Sequence, residues 1–168
     1  MSAKNIALVT ASICIFLVAV TPVQAFTAKD LTITLDPVGN AEVVMQYQLS
    51  VPEYFGVYLQ VADPRLELKR ALDSSLNKDV TVESFDSSSA RISIPSFGSL
   101  MNQSGGMKMN TPTMSFAKAQ AAVQKYWFAP LISPDFSPET TSIIFPDGYT
   151  AGFTNEMTIP SVSHTLNT

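Results

Sequence analysis

The chain has 168 residues, of which 46% are hydrophobic, so a single domain of this size can bury a substantial core. Ten Lys and Arg residues against 14 Asp and Glu residues give a net charge of −4, spread thinly along the sequence. This charge argues against a nucleic-acid partner, because contact with phosphates requires a basic face.

Residues 1–25 have the pattern of a cleavable secretory signal peptide. Lys4 precedes the uncharged stretch at residues 6–20, and the leader closes with Val23-Gln24-Ala25. A helix over residues 6–20 would be about 22 Å long, whereas a stable transmembrane helix crosses roughly 30 Å of hydrocarbon. We therefore expect cleavage between Ala25 and Phe26 and only transient membrane contact; a retained anchor is the alternative.

Removal of the leader would leave residues 26–168 as one domain outside the cytoplasm, secreted or in the cell envelope. The only cysteine, Cys14, would leave with the leader, so packing rather than disulfides must stabilise the product. Loss of Lys4 would change the net charge from −4 to −5.

The first predicted element is a β-hairpin at residues 31–49. Apolar and polar residues alternate on both sides of a turn at residues 36–40, which indicates two strands with one buried face. Pro37 presets the backbone angle that the turn needs, and Gly39 and Asn40 tolerate a positive φ.

The next stretch, residues 53–61, fits either a helix or a strand. Residues 64–76 have an apolar stripe at helical spacing after the capping residue Asp63, which predicts an amphipathic helix. A second hairpin follows at residues 80–94, with its turn at the Asp86-Ser87-Ser88-Ser89 segment.

The carboxyl-terminal half begins with a Gly-, Ser- and Met-rich stretch at residues 96–112, which is predicted to be the longest loop. Alanine-rich residues 115–126 predict a second helix. A third hairpin is expected at residues 141–153, and a short edge strand at residues 157–159. Three hairpins and two or three helices predict an α+β fold, with helices packed on one face of an antiparallel sheet.

Three groups of residues are candidate sites. Met101, Met107, Met109 and Met114 fall in one predicted loop and could bind a soft cation such as cuprous ion, although methionines that cover the sheet are the plainer interpretation. Asp135, Glu139 and Asp147 could supply the paired carboxylates of a hydrolase, but the turn alone accounts for Asp147. Asn102 begins a sequence that matches an N-glycosylation acceptor.

His164 is the only histidine and lies in a polar tail that is expected to fray, so we expect a tail or docking residue rather than a catalytic group. The sequence contains no serine-hydrolase elbow, zinc-protease motif or phosphate-binding glycine loop. No catalytic residue, cofactor or metal is therefore assigned.

Four segments carry a resemblance to other proteins. These are TITLDPVGNAEVVMQYQLSVPE, YWFAPLISPDFSP, FPDGY and IPSVSH. Together they resemble small exported proteins of archaea without an assigned activity. The resemblance implies an extracytoplasmic domain and nothing about its chemistry. The sequence as a whole favours a noncatalytic domain that binds an envelope protein or a surface polymer.

Overall fold

The structure is a computed structural model that describes residues 26–49, 65–66, 69–70, 72–73, 78–104, 106–117, 120–121 and 135–167. Strands make up 55% of these residues and no helix is delimited among them. The expected α+β fold is therefore wrong for the described part of the chain, which is a β-structure with several sheets. No helix among these residues is long and apolar enough to cross a bilayer.

The strands, in chain order, are β1 (Phe26–Leu35), β2 (Ala41–Leu49), β3 (Thr81–Phe85), β4 (Ser89–Ile94), β5 (Ser99–Gln103), β6 (Gly106–Asn110), β7 (Met114–Ser115), β8 (Thr140–Ile144), β9 (Thr150–Thr154), β10 (Thr158–Ile159) and β11 (Ser163–Thr165). The main sheet has the order β3-β4-β2-β1-β8-β9. It contains the three predicted hairpins, which are confirmed. The expectation of a purely antiparallel sheet is wrong, because β1 and β8 run parallel.

The first hairpin turn forms at the predicted residues, with a positive φ at Gly39 but not at Asn40. The side chain of Asp36 accepts the backbone N–H groups of Val38 at 2.9 Å and Asn40 at 2.8 Å, and Gly39 has a φ of 88°. The turn is also fixed to the link between β4 and β5, since the N–H of Gly98 donates to the carbonyl of Gly39 at 2.8 Å. The first hairpin thereby positions the start of β5.

Alternation along the strands of the main sheet separates a buried face from a hydrophilic one. The buried face carries the core residues Leu31, Ile33, Leu35, Ala41, Val43, Val82, Ile92, Ile94 and Ile143. Phe97, Met109 and Ile159 lie in the same core cluster and come from the segments that follow β4. The segments that follow β4 therefore pack these apolar residues against the main sheet.

The predicted loop at residues 96–112 is wrong, because it contains the β5–β6 hairpin. β11 pairs with the other side of β6, which makes a three-stranded sheet in the order β11-β6-β5. The short strands β7 and β10 pair with each other, so the predicted edge strand at residues 157–159 is confirmed at Thr158–Ile159.

The two predicted helices are described only in part. Of residues 64–76, the pairs 65–66, 69–70 and 72–73 are described and have helical backbone, and the others lie outside the described residues. Ser115, the expected start of the second helix, lies in β7 instead. The ambiguous stretch at residues 53–61 and the predicted leader at residues 1–25 lie outside the described residues.

Candidate functional site

The structure does not bring the three candidate carboxylates into one cleft. Asp135 and Glu139 precede β8, and Asp147 follows it. Because β8 is five residues long, its first and last Cα atoms are about 13 Å apart. Asp135 accepts the N–H of Ser137 at 2.9 Å, and Glu139 forms an ion pair with Lys29. Each acidic residue therefore has a local structural role.

Asp147 instead binds the carboxyl-terminal tail. Its Oδ2 lies 2.7 Å from Nε2 of His164 and accepts the N–H of Asn167 at 3.0 Å. The side chains of His164 and Asp147 are only 17% and 8% exposed. The ring of Tyr149 stacks on His164 with 4.1 Å between centroids, and Phe145 approaches the same ring edge-on at 5.1 Å.

These contacts, which we call the clamp, hold the carboxyl-terminal tail at residues 163–167 against the β8–β9 turn. The pKa of Asp147 is lowered to about 2, because the N–H of Asn167 and the ring of His164 bind its carboxylate. Asp147 is therefore ionised at neutral pH and serves as an acceptor rather than as a general acid. His164 lies in β11 and docks it next to the β8–β9 turn, so the expectation that this tail frays is wrong.

The four candidate methionines also do not converge. In the β5–β6 register, Met101 pairs with Lys108 and Met107 pairs with Asn102. Because directly paired residues share a face and successive residues alternate, Met101 and Met107 lie on opposite faces of the hairpin.

The remaining two methionines have core positions. Met109 is fully buried, and Met114 packs against the core. The described residues thus contain no four-thioether site, and no cluster of three or more His, Cys, Asp or Glu in them could hold a metal ion.

The outer edge of β5 is an accessible feature among the described residues. All five of its residues are exposed, including the apolar side chains of Leu100 at 36% and Met101 at 49%. Among the described residues only β6 pairs with β5. Asn102, the predicted glycosylation residue, is exposed on this strand.

Hydrogen bonds of β6 show which of its residues bond to β5. The carbonyl of Met107 accepts the N–H of Leu166 at 2.8 Å, and the N–H of Thr111 donates to Val162 at 2.9 Å. The odd-numbered residues of β6 therefore direct their backbone groups toward β11. Since neighbouring residues of a strand bond to opposite sides, the even-numbered residues, such as Lys108, bond to β5.

This assignment determines which backbone groups of β5 point away from β6. Lys108 pairs with Met101, so Met101 uses its N–H and C=O within the hairpin. Its neighbours Leu100 and Asn102 must then direct their backbone groups outward, away from β6. The edge presents two outward N–H donors and two outward C=O acceptors, flanked by exposed apolar side chains.

The two edge strands of the main sheet, unlike β5, have features that disfavour pairing with a further strand. On β3, the guanidinium of Arg65 donates to the carbonyls of Val82 at 2.9 Å and Glu83 at 2.7 Å, and the strand has a bulge before Ser84. At the other edge, β9 has Gly152 at its centre, which weakens strand pairing. Charges and bulges protect sheet edges from further pairing, and β5 contains neither.

Comparison of the chain with models of protein families, with curated proteins and with solved structures finds no match.

The sequence contained one signal for the β5 edge. Ser104-Gly105 is a dipeptide of the kind that marks turns in a sequence. It was missed because Ser99–Gln103 does not alternate in polarity, as a strand that is exposed on both faces has no reason to do.

Proposed function

We propose that this chain is an exported, noncatalytic domain, secreted or held in the cell envelope, that binds a protein by strand addition at the outer edge of β5. The outward backbone groups of Leu100 and Asn102 are the observation that carries the proposal. Export is supported by the leader pattern of residues 1–25. A polypeptide is favoured over a surface polymer, because the complement of a row of N–H and C=O groups is another extended backbone.

The side chains of β5 support the same interaction. An added strand would place its residues beside Leu100 and Met101, which are now exposed to water. Main-chain hydrogen bonds supply affinity in strand addition, and alternate side chains supply specificity. The strand carries no charge, so it repels neither acidic nor basic partners. Neither the acidic residues nor the methionines come together, so no second function is proposed.

The proposal is tested by photocrosslinking in the natural host. The full chain carries a photoreactive phenylalanine derivative at Leu100, and a matched version carries it at Thr150 on the β9 edge. We expect a discrete protein adduct from Leu100 and none of the same mass from Thr150. Identical adducts from both positions would show that the crosslinks report collision rather than pairing.

A pair of substitutions isolates the backbone donor. Asn102→Pro removes the outward N–H. The hydrogen bonds between β5 and β6 are preserved, because residue 102 makes none of them. Asn102→Ala removes the same side chain and the same glycosylation sequence but keeps the N–H. The Leu100 adduct should persist in Asn102→Ala and be lost in Asn102→Pro. Equal yields in the two variants would contradict strand addition.

A further inference from the structure

We infer that the strand which pairs with β5 is β5 of a second copy of this chain, an inference that rests on the proposed function of the same edge. The two outward residues, Leu100 and Asn102, are symmetric about Met101. If two β5 strands meet antiparallel with Met101 opposite its twin, each Leu100 lies opposite the copy's Asn102. Each of these pairs then exchanges both of its N–H···O bonds, and every outward group of the two residues is satisfied.

Other antiparallel registers satisfy fewer of these groups. With Leu100 opposite its own twin, Asn102 would face Gly98 of the copy, whose N–H already donates to Gly39 at 2.8 Å. With Asn102 opposite its twin, Leu100 would face Ser104, which lies in the hairpin turn. The register centred on Met101 is therefore the one that the edge favours.

Charge and polarity agree with this pairing. Because β5 is uncharged, the twofold axis brings no like charges together. It also places the thioether of Met101, now 49% exposed, against its twin. The contact joins two three-stranded sheets into one of six strands. Its area is that of a single short strand pair, so we expect a weak dimer, with a Kd on the order of micromolar or above.

A single engineered cysteine can capture a weak dimer. In a Cys14→Ser background, Met101→Cys places the chain's only thiol on the proposed axis. The pair there is not hydrogen-bonded, and its Cα atoms lie about 4.5 Å apart, within the range of a disulfide. Ser99→Cys is the matched control on the same strand and face. Its twins would be separated by about 13 Å along the strands, too far to bridge.

The experiment uses the full chain, expressed with its leader and purified from the extracytoplasmic fraction. Under mild oxidation, we expect Met101→Cys to form disulfide dimers at least about ten times faster than Ser99→Cys. An equimolar mixture of Ser99→Cys and Gln103→Cys should form mainly mixed dimers, because residues 99 and 103 lie opposite each other in this register. That mixture tests the register independently of any change at Met101.

Equal rates for Met101→Cys and Ser99→Cys would overturn the inference, and so would a monomeric Met101→Cys protein together with random pairing in the mixture. If those results came with a Leu100 photoadduct of a different protein that Asn102→Pro abolishes, the proposed function would stand and only the identity of the partner would be wrong. Loss of both signals would remove the proposed function as well.

Discussion

Gly39 connects the first hairpin to the start of β5, and its replacement by alanine should destabilise the fold. Gly39 has a φ of +88°, and a Cβ there would lie 2.5 Å from the carbonyl oxygen of Gly98. A side chain at positive φ costs about 1–2 kcal/mol. The backbone at Gly98 must also move, which weakens its hydrogen bond to Gly39, worth about 0.5–1.5 kcal/mol. Together these terms give a loss of about 1.5–3.5 kcal/mol in the free energy of unfolding.

Gly148 provides a matched control for this prediction. Its φ is +85°, nearly the same as that of Gly39, but a Cβ there would meet nothing within 4 Å. Gly148→Ala should therefore lose only the conformational term of about 1–2 kcal/mol. The effect of alanine on the unfolded chain is common to both variants and cancels in the comparison. Urea unfolding followed by circular dichroism measures both, and equal losses would refute the assigned contact between the turn and Gly98.

Three further predictions concern two hydrogen-bonded carboxylates, the carboxyl-terminal tail and the core. The pKa values of Asp147 and Asp86 are lowered from 3.8 to about 2 by backbone and side-chain hydrogen bonds, so both carboxylates stabilise the fold above about pH 4. The urea midpoint should therefore fall between pH 4 and pH 2, and a flat profile would contradict these contacts. Asp147→Asn should speed amide hydrogen exchange in residues 163–167, with unchanged exchange counting against the clamp. Met109→Ala should cost about 2–5 kcal/mol of stability by leaving a cavity, whereas Met107→Ala at the surface should cost less than about 0.5 kcal/mol; thermal melts that show similar losses would contradict the burial of Met109.

The hairpins were predictable from the sequence because their signals are local. Alternating polarity with turn residues such as Asp36 and Gly39 specifies a two-stranded unit without reference to the rest of the chain. The parallel pairing of β1 with β8 has no such signal. More than 100 residues separate Asp30 from its partner Thr140, and only the assembled sheet brings them together.

The candidate edge was missed for a related physical reason. Residues of β5 are exposed on both faces, so burial imposes no alternation on Ser99–Gln103. The contact between His164 and Asp147 was likewise hidden, because it joins two segments through β11, whose own sequence is too short and polar to indicate a strand. The carboxylates at residues 135, 139 and 147 are close along the sequence. In space, β8 lies between Asp147 and the other two.

Amide hydrogen exchange at β5 tests the outward edge most directly. In dilute protein, the N–H of Met101 should be protected by its bond to β6, whereas those of Leu100 and Asn102 should exchange at nearly the rate of an open chain. At high protein concentration, both outward amides should slow while Met101 changes little. Protection of Leu100 and Asn102 already in dilute protein, or rapid exchange at Met101, would contradict the assignment of a free strand edge.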